Sequence, residues 1–88
     1  MPDYSVTFAR SARKELEKLA PQVVTRILER IENLVSIPRP VGSLKLKGEG
    51  NLWRIRIGDY RVIYEIDDLK RCIDVTIIRH RKDVYRDF

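Results

Sequence analysis

Three arginines set into an apolar alternation, Arg54, Arg56 and Arg61, are the side chains best placed to do chemistry in this chain. They lie in LWRIRIGDYRVIY, residues 52–64, which reads as two strands joined at Gly58-Asp59. Successive side chains on a strand point to opposite faces, so Trp53, Ile55, Ile57, Val62, Tyr64 and Ile66 share one face. Arg54, Arg56 and Arg61 take the other, where a hairpin fixes which of them are neighbours. Crowded guanidiniums are costly unless something anionic meets them. The planar fork of arginine can bind two phosphate oxygens at once and stays charged, so the pattern points to a phosphate-rich partner. Alternating charges alone are also what a solvated strand face looks like. His80 is the only histidine, the side-chain type most often used to move protons in catalysis. Lys45 and Lys47 flank Leu46 on a short segment, where they extend the basic surface or solubilise an edge.

The rest of the chain must position that hairpin. Residues 3–8, DYSVTF, alternate weakly as a first strand. Ala12, Leu16 and Leu19 then follow a helical period, with Ser11 as one candidate cap and a start one turn earlier as the other. Pro21 suits the first position of a second helix, whose apolar stripe is Val24, Ile27, Leu28, Ile31, Leu34 and Val35. Pro38 and Pro40 cannot continue it. Short strands follow at 43–47, 52–57, 60–66 and 72–79, with Ile73, Val75 and Ile77 on one face of the last and Asp74, Thr76 and Ile78 on the other. This order predicts an α+β fold: a small antiparallel sheet with an N-terminal two-helix hairpin on one face, the opposite face open to the arginines.

Eighty-eight residues predict a single domain, 1–88. The net charge of +5 favours nucleic acid or an acidic protein as partner. With 35% charged residues and no apolar run near the roughly 18–20 residues of a span, no membrane is expected. The N-terminus has no signal-peptide pattern, and the lone Cys72 fits a reducing cytoplasm. One His, one Cys and scattered carboxylates give no metal-ligand spacing, and Gly48-Glu49-Gly50 lacks the parts of a phosphate loop, so neither metal nor cofactor is expected.

The chain resembles the RelE/ParE superfamily of small toxins from toxin–antitoxin modules. The resemblance is carried by FARSARKELEKL, by LKLKGEGNLWRIRIGDYRVIYEI and by the closing IRHRKDVY. It implies a small sheet with two helices on one side, and it implies one of two activities. RelE-like members cut mRNA in the ribosomal A site without metal, the ribose 2′-hydroxyl attacking the adjacent phosphate and the 5′-oxygen leaving. ParE-like members share the fold and act on DNA gyrase. Both are neutralised by a cognate antitoxin, and the complex represses its own operon at operator DNA. A third possibility is a non-catalytic relative that binds only antitoxin and operator. The basic end piece with its tyrosine favours the mRNA endonuclease, in contact with ribosome and mRNA.

Carried over by position, the family's catalytic basic residues fall on Arg54, Arg56, Arg61 and Arg81, and its C-terminal tyrosine on Tyr85. Well-studied members carry lysines at the positions of Arg54 and Arg56 and space the last arginine and tyrosine further apart. Cleavage of RNA by its own 2′-hydroxyl needs a base, donors for the phosphorane charge and an acid for the leaving oxygen. Arg61 and Arg81 are assigned to the charge, and Arg54 and Arg56, with Lys45 and Lys47, to the RNA backbone. Arginine is a poor base. Proton transfer is therefore expected of His80, with Tyr85 as a stacking or acid–base group.

Overall fold

The computed structural model describes residues 3–48 and 50–82. The chain runs β1 (Ser5–Phe8), α1 (Arg10–Glu17), α2 (Pro21–Asn33), β2 (Leu44–Lys45), β3 (Leu52–Ile57), β4 (Tyr60–Asp67) and β5 (Cys72–His80). Pro21 opens α2, where its missing N–H has no helical partner to lose. Ile27 and Ile31 of α2 and Ala12 of α1 are buried at helical spacing, and these stripes turn both helices to the same side of the sheet. Ser11 does not cap α1. The helix starts before it, after Ala9, and the Ser11 hydroxyl instead donates to the carbonyl of Thr76 on β5 at 3.0 Å.

The five strands form one sheet in the order β1-β5-β4-β3-β2. The four later strands are antiparallel, as the hairpin turns require, and β1 joins them as a parallel edge, Ser5 opposite Cys72 and Phe8 opposite Val75. The sheet is therefore mixed. The two helices carry the chain away from β1, and it comes back as an antiparallel run whose last strand lies beside β1 in the same direction.

On the helix side, Ile55, Ile57, Val62, Tyr64, Ile66, Ile73, Val75 and Ile78 form one core with Ala12, Ile27, Ile31 and Leu34. Full burial of a side chain such as Ile27 stabilises by about 1.5–3 kcal/mol relative to leaving it in water. Tyr64 keeps its polar end satisfied by donating to the carbonyl of Pro38 at 2.7 Å, and burial pushes its hydroxyl up to about 12. The loop after α2 is also tied down from outside. Asp68 accepts from Arg39 at 2.9 Å and from the Tyr4 hydroxyl at 2.6 Å, and the Arg39 guanidinium lies 5.1 Å from the Trp53 ring centre.

One irregularity decides which side chains reach the face away from the helices. The β4–β5 register shifts at Ile63/Tyr64: Ile63 faces Ile77 and Tyr64 faces Val75, leaving Thr76 as the extra residue of a bulge. The Thr76 hydroxyl donates to the Ile63 carbonyl at 3.1 Å. A regular alternation would put Ile77 in the core and Ile78 outside. The bulge exchanges them, so Ile78 is buried in the core while Ile77 pairs with Ile63 on the outer face.

Candidate nucleic-acid interface

The outer face is ordered in rows across the strands, because the pairing fixes which side chains stand side by side. At the Gly58 end, Arg56 of β3 pairs with Arg61 of β4, and Arg61 pairs with Arg79 of β5. The next row is Arg54, Ile63 and Ile77. The row beyond is Leu52, Glu65, Asp74 and Thr7. Charge is thus sorted along the face, with three arginines at the hairpin tip, Arg54 beside two isoleucines in the middle and acids at the far end. With neighbouring strands about 4.8 Å apart, the three arginine Cα atoms of the first row span roughly 10 Å.

The turn that sets this row is short. Gly58 has φ +60 and is the first of two central residues, the glycine position of a II′ hairpin. Its carbonyl accepts from Arg56 Nε at 3.3 Å. Arg26 of α2 reaches the turn from the helix side, and a Cβ on Gly58 would stand 3.1 Å from its guanidinium. The middle arginine of the row is the least accessible. Arg61 is 7% exposed, and its guanidinium donates to the Tyr60 carbonyl at 3.3 Å. A buried cation with a cation in register on each side costs the free protein stability. That is the arrangement expected of a site built for an anion.

The candidate residues are placed as follows. Arg56 and Arg61 stand side by side, and Arg54 lies one row along the same face. Arg81 lies at the hairpin turn rather than in a row: its N–H donates to the Asp59 carbonyl at 2.7 Å, and its half-exposed guanidinium lies 3.9 Å from the Asp59 carboxylate. His80 is not brought to the row. It pairs with Tyr60 on the helix side of the sheet, with the two rings edge to face at 5.4 Å, and its Nδ1 accepts from the Lys82 N–H at 3.4 Å. Lys45 pairs with Trp53, so the short strand turns Leu44 rather than Lys45 to the arginine face. Lys47 is exposed beyond the end of β2. Tyr85 lies outside the described residues.

Arg79 is the residue that sequence reasoning missed. Its charge is plain in the sequence, but regular alternation from Ile73 assigns it to the core side and His80 to the arginine side. The Thr76 bulge reverses both. Among the described residues, no group of His, Cys, Asp and Glu side chains has the spacing to hold a metal ion.

The model of the family described as ParE toxin of type II toxin-antitoxin system, parDE, matches residues 6–85. The chain belongs to the RelE/ParE family of type II toxins. It is 32% identical over 84 residues to the toxin RelG of Mycobacterium tuberculosis, covering 94% of this chain and 97% of that one. It is 30% identical over 86 residues to a putative toxin RelE1 of Methanocaldococcus jannaschii, covering 94% and 96%. Its fold is similar to that in the crystal structure of the archaeal RelE–RelB complex from Pyrococcus horikoshii, with TM-score 0.81, 32% identity, and 92% and 97% of the two chains covered. The isolated Escherichia coli RelE toxin has TM-score 0.77 at 26% identity, with 96% and 93% covered. This toxin therefore shares the RelE-like α+β scaffold, and the arginine face is a feature of a type II toxin.

Proposed function

We propose that this toxin is a ribosome-dependent mRNA endonuclease. The observation that carries the reading is the row Arg56–Arg61–Arg79 on the sheet face away from the helices, with its central arginine held nearly out of water. In the proposed reaction the 2′-oxygen attacks the adjacent phosphorus and loses its proton. The bond to the 5′-oxygen then breaks, and that oxygen leaves protonated. The products are a 2′,3′-cyclic phosphate and a 5′-hydroxyl. Arg61 carries the phosphorane charge, since it cannot move once the site is filled and costs no reorganisation during reaction. Arg81 at the tip supports it, while Arg54 and Arg56 hold the strand. No metal is needed, because the charge developing on the phosphorane is met by guanidinium groups. His80 faces the helices, so proton transfer is assigned instead to the messenger's ribosomal surroundings and to Tyr85.

Several solved relatives are complexes of RelE with RelB, an antitoxin. We infer a comparable partner for this toxin: a short acidic chain that covers the arginine face and folds as it binds, the pair occupying operator DNA. The chain is assigned to the cytoplasm, where ribosomes are.

Because the matching family model is that of the ParE toxins, gyrase inhibition is the second reading. Primer extension on translating ribosomes separates the two. Codon-positioned breaks in mRNA are the expected result. Intact mRNA together with lost supercoiling activity of gyrase would transfer the toxin to the second reading.

A further inference from the structure

The arginine row does not stop at the sheet. β1 pairs with β5 only from Cys72 to Val75, so beyond Val75 this edge of β5 has no strand partner among the described residues. Helix α1 lies beside it, tethered by the hydrogen bond from Ser11 to Thr76. Between them is an open cleft of about 270 Å³ lined by Ser11, Lys14, Lys18, Ile77 and Arg79, with Glu15 as the one acid among its described lining residues. Lys14 and Lys18 are one helical turn apart, so both ammonium groups serve the same side of α1. Arg79 belongs to both features: it ends the row that starts at Arg56 and it lines the cleft.

We propose that this cleft is an RNA-backbone site adjoining the scissile linkage, with phosphates held by Lys14, Lys18 and Arg79. The strand would cross β3, β4 and β5 over the arginine row and leave the sheet between β5 and α1. The inference rests on the nuclease reading of Arg61 and extends it to a helix that the family's catalytic positions do not include. A cleft of cations at the edge of a basic row suits a phosphodiester chain, because each phosphate needs a donor within reach and nothing here reads bases. The same phosphates could belong to the messenger or to ribosomal RNA, and the experiment has an arm for each.

The full chain is tested as wild type, as the double variant Lys14→Ala/Lys18→Ala and as Glu15→Gln. The first arm measures anisotropy of a labelled single-stranded RNA 20-mer across a salt series. The second measures mRNA cleavage on programmed ribosomes. The double variant should lose about 1.4 from the slope of log affinity against log salt, about 0.7 for each cation on a single strand. Glu15→Gln should bind the 20-mer more tightly, a gain that damage to folding cannot produce. On ribosomes the double variant should lose kcat/KM through KM. A changed slope on the 20-mer assigns the cleft to messenger, and a KM change without it assigns the cleft to ribosomal RNA. Wild type that cleaves, with neither arm moved by the double variant, overturns the cleft and leaves the nuclease reading standing. Wild type that binds RNA with the predicted slope changes and cuts nothing keeps the cleft and overturns the nuclease.

Discussion

Replacing Arg61 by methionine should make the free toxin more stable while removing its activity. Arg61 is 7% exposed and has Arg56 and Arg79 in register on either side. Like charges directly opposite on a sheet cost about 0.2–1 kcal/mol per pair, so two such neighbours cost about 0.4–2 kcal/mol. Methionine removes both repulsions, fills similar space beside Ile63 and needs no water at its end. The lost hydrogen bond to the Tyr60 carbonyl works against this; its donor is charged, but at 3.3 Å it sits at the weak end of such bonds, about 1.5 kcal/mol. At the upper end of the repulsion range the net gain is about 0.5 kcal/mol, which for a chain of this size raises Tm by about 2–4 °C at low salt. It should shrink in 1 M salt, where the Debye length falls to about 3 Å. Sulfate should raise the Tm of wild type more than that of the variant, the common part being its general exclusion from protein surface. Activity on ribosomes should fall about 10²–10³-fold, the usual loss when one preorganised donor to an oxyanion is removed. The assay is a pair of thermal melts with and without sulfate, together with primer extension. An Arg61→Met variant that melts below wild type at every salt concentration would make Arg61 a structural strut and refute the reasoning.

Three further outcomes are expected. The hydrogen bonds from Arg39 and Tyr4 hold the Asp68 carboxyl below the ordinary carboxylate range. A carboxyl lowered in the folded state stabilises above its unfolded value near 3.9, and this is lost as pH falls through the folded value. Asp68→Asn should therefore melt below wild type at pH 7 and converge with it in acid, and melting curves across pH would check this; a constant offset would contradict it. Gly58→Ala places a Cβ at φ +60 and 3.1 Å from the Arg26 guanidinium, which should cost about 1–2 kcal/mol in denaturant titrations. His80→Gln should keep cleavage within about tenfold, whereas a general acid or base contributes roughly 10²–10⁴-fold. A hundredfold loss with normal folding would return the imidazole to the reaction.

The hairpin was legible in the sequence because three independent signals agree on it. The Gly58-Asp59 turn, the period-two apolar pattern and the charge of the intervening residues all give the same faces, and Arg56 opposite Arg61 follows from the turn length. The helices were legible from Pro21 and the spacing of Ala12, Ile27 and Ile31. The parallel pairing of β1 was not, since four weakly alternating residues carry no sign of their partner, and that partner lies 67 residues away in sequence at Ser5 and Cys72. The bulge was hidden for a different reason. CIDVTIIRH alternates acceptably in either phase, and only packing selects Ile78 over Ile77 for the core. That single extra residue sends Arg79 to the site and His80 away from it. It accounts for the main difference between the expected and observed positions of the candidate residues.

The most direct measurement replaces one atom of the substrate. Programmed ribosomes are given mRNA with a single 2′-deoxy nucleotide at the mapped break, and the rate and the product ends are compared with those of all-ribose mRNA. Guanidinium-stabilised attack by the 2′-oxygen predicts no break at that linkage, and a cyclic phosphate with a 5′-hydroxyl where ribose is intact. Equal cleavage of the deoxy linkage, or ends bearing a 5′-phosphate, would contradict it.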